Sequence, residues 1–265
     1  MTRVLITGGA GGFGRALVPL LAGRGYTVRI MSRRAVPAGH TAEWAQADIE
    51  SGSGLAAALA GVDVVVHAAS SPAKRTHAID VEGTRRLLQA AQDAGVTHLA
   101  YISIVGIDRT PLAYYRHKLA AEALIAKSRV PWSILRATQF HTLIDTFLRG
   151  ADRLPLFLLP TDLRFQPIDV GEAAERMAEL VVAGPSGRLP DIGGPEVLTY
   201  GALAQAWMQA RGRQRRIIHL PLPGRLAAAL RRGSNTCPDQ RYGHITWADW
   251  LHKTYAPHAT MAALQ

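Results

Sequence analysis

Apolar positions in this chain come in short continuous runs of strand length, and each run is followed by a longer stretch with helical spacing. Val4, Leu5 and Ile6 form the first run, and GRALVPLLAGRG behind it reads as a helix. Thr27 to Ser32 reads as a second strand and Glu43 to Ile49 as a third, with a short helix over GLAAALAG closed by Gly61. Asp63 to Ala69 is almost wholly β-branched and apolar, as expected of a strand covered on both faces of a parallel sheet. Asp80 is placed to cap the helix VEGTRRLLQAAQDAG, and Leu99 to Ile104 is the fifth strand. YYRHKLAAEALIAKS is a helix, Pro131 to Arg136 a sixth strand, and Leu189 to Gly193 a returning strand. A strand near Phe165 precedes a helix capped by Asp169, and Thr246-x-x-Asp249 opens a terminal helix as a capping box. Strand and helix alternate from residue 4 to residue 104, which predicts an α/β fold with a doubly wound parallel sheet.

The domain reading that follows is a dinucleotide-type domain over 1–193, with a substrate-side insertion near 139–165, and a small, mostly helical cap over 194–265. Trp247 and Trp250 are expected in its packing. No internal repeat of solenoid length interrupts this plan.

The turn after the first strand changes the picture from fold to chemistry. Thr7, Gly8, Gly11, Gly12, Phe13 and Gly14 lie in TGGAGGFG, between a strand and a helix. Glycines there permit a tight turn and bring backbone N–H groups up to a pyrophosphate at the helix N-terminus. About twenty positions beyond the glycines, an NAD site usually carries an acidic residue for the ribose 2′-OH. This chain has Ser32, Arg33 and Arg34 instead, and a guanidinium fork suits a 2′-phosphate, so NADP(H) is the expected cofactor. Tyr114 and Lys118 are four apart and share a helical face. An ammonium near a phenol lowers its pKa and makes it a usable acid or base.

Composition and charge narrow the reading further. The chain is 48% hydrophobic and 19% charged, enough for a substantial core. Its formal charge of +10 has its densest run at Arg211 to Arg216, but no RNA-binding or zinc-finger signature accompanies it, so nucleic acid is not an expected partner. A basic field would instead draw in a phosphate-rich cofactor. No apolar run has membrane-spanning length, the N-terminal apolar run breaks too early for a signal peptide, and the single cysteine, Cys237, is expected to be inert. A cytoplasmic location, as monomer or homodimer, and no metal are the corresponding expectations.

TGGAGGFG, Asp48, HAAS (His67 to Ser70), DVEGT from Asp80, YISIVG (Tyr101 to Gly106), YYRHK (Tyr114 to Lys118), LRATQF (Leu135 to Phe140) and FQPIDVGEAA (Phe165 to Ala174) occur in that order. With them the chain resembles the short-chain dehydrogenase/reductase superfamily, in its atypical and extended branches: the NmrA-like proteins and the sugar-nucleotide epimerase and dehydratase relatives. The resemblance implies that the glycine loop cradles the pyrophosphate and that Asp48 and Ile49 border the adenine. It implies that Ala68, Ala69 and Ser70 line the cofactor, Lys118 holds the nicotinamide ribose and Tyr114 donates the proton. Ser103 would polarise a substrate carbonyl; only this serine stands where active relatives carry a pair or triple, and a one-residue shift would flip its face. Gln139, Phe140 and His141 would face the substrate. The implied activity is NADP(H)-dependent hydride transfer to or from a small carbonyl, quinone or enone. The alternatives are a non-catalytic NADP-sensing regulator, which the missing second serine favours, and an NAD-dependent epimerase, which Arg33 and the short loop before Tyr114 oppose.

Overall fold

The computed structural model describes residues 1–37, 39, 42–71, 75–154 and 156–262, with side chains up to Tyr255. Its contacts divide it into two compact units: Met1–Ile104, Leu112–Arg136 and Ala173–Pro190 form the first, and Val105–Pro111, Ala137–Glu172 and Asp191–Gln265 the second.

The first unit is a Rossmann-like α/β sheet. Its elements are β1 (Arg3–Thr7), α1 (Gly12–Gly23), β2 (Thr27–Ser32), β3 (Glu43–Gln46), α2 (Leu55–Leu59), β4 (Val64–His67), a π-helical turn (His77–Gly83) leading into α3 (Thr84–Asp93), β5 (His98–Ile104), α4 (Ala113–Ala126) and β6 (Trp132–Ala137). With the later β9 (Gly187–Arg188) the strands lie in the order β3-β2-β1-β4-β5-β6-β9. β1 pairs in parallel with both β2 and β4, so the chain reverses direction of growth beside β1, where ligands of such sheets bind. Leu5, Val65, Leu87, Leu99 and Ile125 are fully buried in the core of this unit. The doubly wound sheet read from the alternation of strands and helices is present.

Three local expectations are corrected. β3 ends at Gln46, not Ile49, because Asp48 Oδ1 accepts the N–H of Glu50 at 3.0 Å and turns the chain. Asp80 does not cap a helix; it lies inside the π-helical turn, and its carboxylate is taken by Ser70 and Ser71. The returning strand is Gly187–Arg188, two residues early: Leu189 N–H still donates to Ile134 O, but Pro190 has no N–H with which to extend a ladder.

The second unit holds α5 (His141–Asp152), β7 (Phe157–Leu159), β8 (Arg164–Phe165), the start of α6 (Val170–Ala183), β10 (Leu198–Thr199), α7 (Tyr200–Ala210), β11 (Ile217–His219), α8 (Arg225–Arg231) and α9 (Trp247–Ala262). Two small sheets, β10-β8 and β11-β7, include the strand expected near Phe165 as β8 and add β7 and β10, which the apolar pattern did not reveal. At two or three residues each, they are too short to show a period. Trp207, Phe157, Leu203 and Trp247 form its core, and Trp250 stacks on Trp247 with centroids 5.2 Å apart. Asp169 Oδ1 accepts from Gly171 N–H, and Thr246 and Asp249 exchange the two bonds of the expected capping box.

Candidate dinucleotide site

The glycine loop is shaped by steric demands that only glycine meets. Gly8 has φ +68°, and a Cβ there would stand 2.9 Å from Ala68 O and Ala69 N, so β1 and β4 could not bring their ends so close. A Cβ on Gly14 would lie 2.4 Å from the Cα of Gly9, which lets α1 start against the loop. Gly12 faces open space. Gly11 offers α1 no side-chain cap, and the first turn of the helix contains no acidic residue. The positive end of the helix dipole at this loop favours an anion from outside the helix.

A cleft of about 290 Å³ opens at this loop, near the lower end of the small-ligand range. Its walls include Gly8, Gly11, Ser32, Arg33, Asp48, Ile49, Ala68, Ala69 and Ser70. These nine candidate residues, drawn from four separate stretches of chain, are brought together. Arg34 and Gly12, Phe13 and Gly14 are not part of that wall; Phe13 and Gly14 are buried at the start of α1. The backbone of the arginine pair is anchored by Gln46, whose amide donates to Arg33 O, and by Trp44, whose indole donates to Arg34 O. Both arginine side chains are exposed. A wider depression of about 440 Å³ elsewhere in this unit contains none of the candidate residues, and Glu43 on its wall is occupied by Arg3 and Arg29.

Under the cleft, Thr7 organises a buried network. Its hydroxyl accepts the N–H groups of Ala68 and Ala69, each at 3.1 Å, and meets His67 Nδ1 at 2.8 Å. On the other side of the ring, His67 Nε2 lies 2.9 Å from Thr84 Oγ1, which donates its own proton to Asp80 O. Thr84 must therefore accept from His67 Nε2–H, leaving Nδ1 to accept from Thr7. The imidazole is neutral in one tautomer; burial, with the Lys118 charge adding to it, brings its pKa down to about 3. The sequence contained the signal for this, a histidine closing an otherwise apolar strand, but not the partners.

Of the three proposed catalytic groups, Tyr114 reaches the cleft wall: its hydroxyl is 2.7 Å from Ser70 Oγ. Burial pushes its phenol above the usual tyrosine value, Asp80 adds to that, and the Ser70 bond opposes it. Lys118 is buried. Its ammonium donates to Ile102 O at 3.0 Å and sits 4.1 Å from the centre of the Tyr101 ring. Burial brings its pKa down to about 8 against the pull of Asp80 and Glu122. Ser103 is buried with an Oγ that has no hydrogen-bond partner.

Gln139, Phe140 and His141 belong to the second unit. The Gln139 amide is spent on its own surroundings, donating to Asn235 O at 3.0 Å and accepting from Gln166 N–H. His141 is 1% exposed and packs against Trp247 and Trp250, with neither ring nitrogen hydrogen-bonded. Burial lowers its pKa to about 4, opposed by Asp169. Burial also pushes the Cys237 thiol up to about 12, which suits the inert role expected of it. Among the described residues no helix is long and apolar enough to cross a membrane, and no group of metal-ligating side chains occurs.

A glycine loop at the β1 reversal point, with an open helix N-terminus, defines a dinucleotide-binding protein. The sequence profile described as NAD(P)H-binding matches residues 8–146, more than half of the chain. The chain belongs to that family. It is 35% identical over 113 residues to a 3-beta-hydroxysteroid dehydrogenase of Mycolicibacterium neoaurum, a match spanning 37% of this chain and 31% of that protein. It is 27% identical to a chloroplastic divinyl chlorophyllide a 8-vinyl-reductase of Oryza sativa subsp. indica, over 83% of this chain and 62% of the relative. The match thus spans about a third of the length of the steroid dehydrogenase. Among solved structures, the fold is shared with an NADPH-dependent quinone oxidoreductase of Escherichia coli complexed with NADPH (TM-score 0.77, 20% identity, 95% of this chain and 99% of that one). It is also shared with a dTDP-glucose 4,6-dehydratase of Streptomyces venezuelae (TM-score 0.76, 20% identity, 99% and 98%).

Proposed function

We propose that this protein is an NADP(H)-dependent oxidoreductase that moves hydride to or from a small carbonyl, quinone or enone substrate. The observation that carries the reading is Tyr114, a protonated phenol hydrogen-bonded to Ser70, itself part of the wall of the glycine-loop cleft. Bound in the cleft, the nicotinamide cofactor supplies or takes the hydride. The chain's own residues do the rest. The glycine loop and the N-terminus of α1 hold the pyrophosphate, and Arg33 takes the 2′-phosphate. Ala68 and Ala69, fixed from below by Thr7, line the cofactor, while Asp48 and Ile49 border the adenine. Tyr114 exchanges a proton with the substrate oxygen, Ser103 offers it a hydrogen bond, and Lys118 holds the ribose once its ammonium turns from Ile102. Gln139, Phe140 and His141, with residues 194–265, supply the substrate side, where both ring nitrogens of His141 are without a hydrogen-bond partner.

A second reading, a dinucleotide sensor without turnover, is favoured by one observation: the Lys118 ammonium is engaged by Ile102 and Tyr101. One experiment separates the two. NADPH and NADH binding and NADPH oxidation with quinones, ketones and enones are measured for wild type, Tyr114→Phe and Arg33→Ala. The oxidoreductase reading expects Tyr114→Phe to lose about 10²-fold or more in turnover with binding kept. It expects Arg33→Ala to weaken NADPH and not NADH. Binding without turnover in any protein selects the sensor, and equal turnover in wild type and Tyr114→Phe removes Tyr114 from the chemistry.

A further inference from the structure

Tyr114, Ser70 and Asp80 form a continuous hydrogen-bond chain from the cleft wall to a carboxylate that is 1% exposed. The direction of each proton follows from counting. Ser70 has one hydroxyl proton and donates it to Asp80 Oδ1 at 2.6 Å. Its contact with Tyr114 at 2.7 Å must then be made with Tyr114 as the donor. Asp80 Oδ2 accepts the Ser71 N–H at 3.2 Å, so both carboxylate oxygens are acceptors. Asp80 is held rigidly. It lies in the π-helical turn His77–Gly83, a distortion that recurs at functional sites, and its carbonyl is tied to Thr84 Oγ1 at 2.7 Å. Lys118, the usual suspect for assisting the phenol, has its ammonium on Ile102 O and the Tyr101 ring.

We propose that Ser70 and Asp80 form a side-chain proton relay to Tyr114, with Asp80 as its buried terminus. The inference rests on Tyr114 being the acid or base of the reaction proposed above. In the oxidative direction the substrate O–H bond breaks and its proton passes to Tyr114 Oη. The tyrosine's own proton passes to Ser70 Oγ, and that of Ser70 to Asp80 Oδ1. The carbon-bound hydrogen leaves with its electron pair as hydride to the oxidised nicotinamide cofactor, so one proton and one hydride are removed and a carbonyl is formed. In the reductive direction the same bonds reverse, and Asp80 enters as the carboxylic acid.

The test uses wild type, Tyr114→Phe, Ser70→Ala, Ser70→Thr and Asp80→Asn. The first readout needs no turnover. The tyrosine Raman doublet, taken as wild type minus Tyr114→Phe, reports whether this phenol is a hydrogen-bond donor. A strong-donor signature is expected in wild type and Ser70→Thr, and its loss in Ser70→Ala. The second readout is turnover in mixed H₂O and D₂O, with dinucleotide affinity measured alongside. Ser70→Ala, compared at saturating dinucleotide, is expected to lose about 10²-fold in turnover and to change a bowed proton inventory to a linear one. Ser70→Thr restores both, and Asp80→Asn behaves like Ser70→Ala. A donor signature unchanged by Ser70→Ala, or a bowed inventory retained in it, overturns the relay. Loss of turnover in Tyr114→Phe with none in Ser70→Ala sinks the relay and leaves the oxidoreductase reading standing. Full turnover in Tyr114→Phe sinks both. If no protein turns over, the Raman comparison alone decides whether the chain of donors exists.

Discussion

The glycine-loop end of the first unit and the C-terminal part of the second treat their polar groups in opposite ways. In the first, α1 begins with no side-chain cap, while the buried His67 has both ring nitrogens hydrogen-bonded. In the second, α9 begins with a complete capping box, while the buried His141 has neither nitrogen bonded. Helix N–H groups and buried imidazoles both carry a penalty when unmatched. The N-terminus of α1 borders the proposed cofactor site, and His141 belongs to the proposed substrate side.

The comparison of the two histidines is broken most directly by removing each. His67→Leu strands the Thr7 hydroxyl proton and removes two buried bonds, at a cost of about 3 kcal/mol in urea unfolding. His141→Leu removes nitrogens that have no partner and is expected to leave stability unchanged or raise it by up to about 1 kcal/mol, with turnover reduced. Equal losses in the two variants would end the contrast.

Acid sharpens it next. His67 has a folded pKa of about 3 against 6.5 for the unfolded chain, so the unfolded state binds the extra proton as pH falls below 6.5. Its contribution is complete above that value and declines toward pH 3, and about 2 kcal/mol should be gone by pH 5. His98 and His141, both lowered to about 4 by burial, act in the same direction. Urea midpoints at pH 7.5 and pH 5 read the change, and a His67→Leu protein should lose less over that interval. A flat profile contradicts the neutral, saturated imidazole. The smallest effect belongs to the capped helix: Thr246→Ala should cost about 1 kcal/mol in the same assay. No loss would mean that the capping box at α9 contributes nothing and that the contrast with α1 has no energetic content.

Much of the site was legible because it is local. The glycine loop, the strand before it and the helix after it are contiguous, so TGGAGGFG announces its geometry in the order of residues. The place of Arg33 in the cleft wall, directly after the next strand, follows from the same locality. Asp80 was misread as a cap because in one dimension it precedes a helical pattern. Its partners Ser70 and Ser71 lie ten and nine residues back, a pairing that the pattern does not encode. The loss of the third strand's last residues has a similar origin, a side chain bonding its own backbone.

The sequence by itself determined the class of fold, the place of the dinucleotide loop and the list of residues able to do proton chemistry. Periodicity, glycine sterics and side-chain chemistry are properties of neighbours along the chain. Only the tertiary structure decided that Tyr114 donates to Ser70, that Lys118 spends its ammonium on Ile102 and Tyr101, and that His67 holds the floor of the cleft through Thr7. Hydrogen-bond direction and burial depend on which atoms lie within about 3 Å of one another after folding, and that proximity is set by the packing of distant segments.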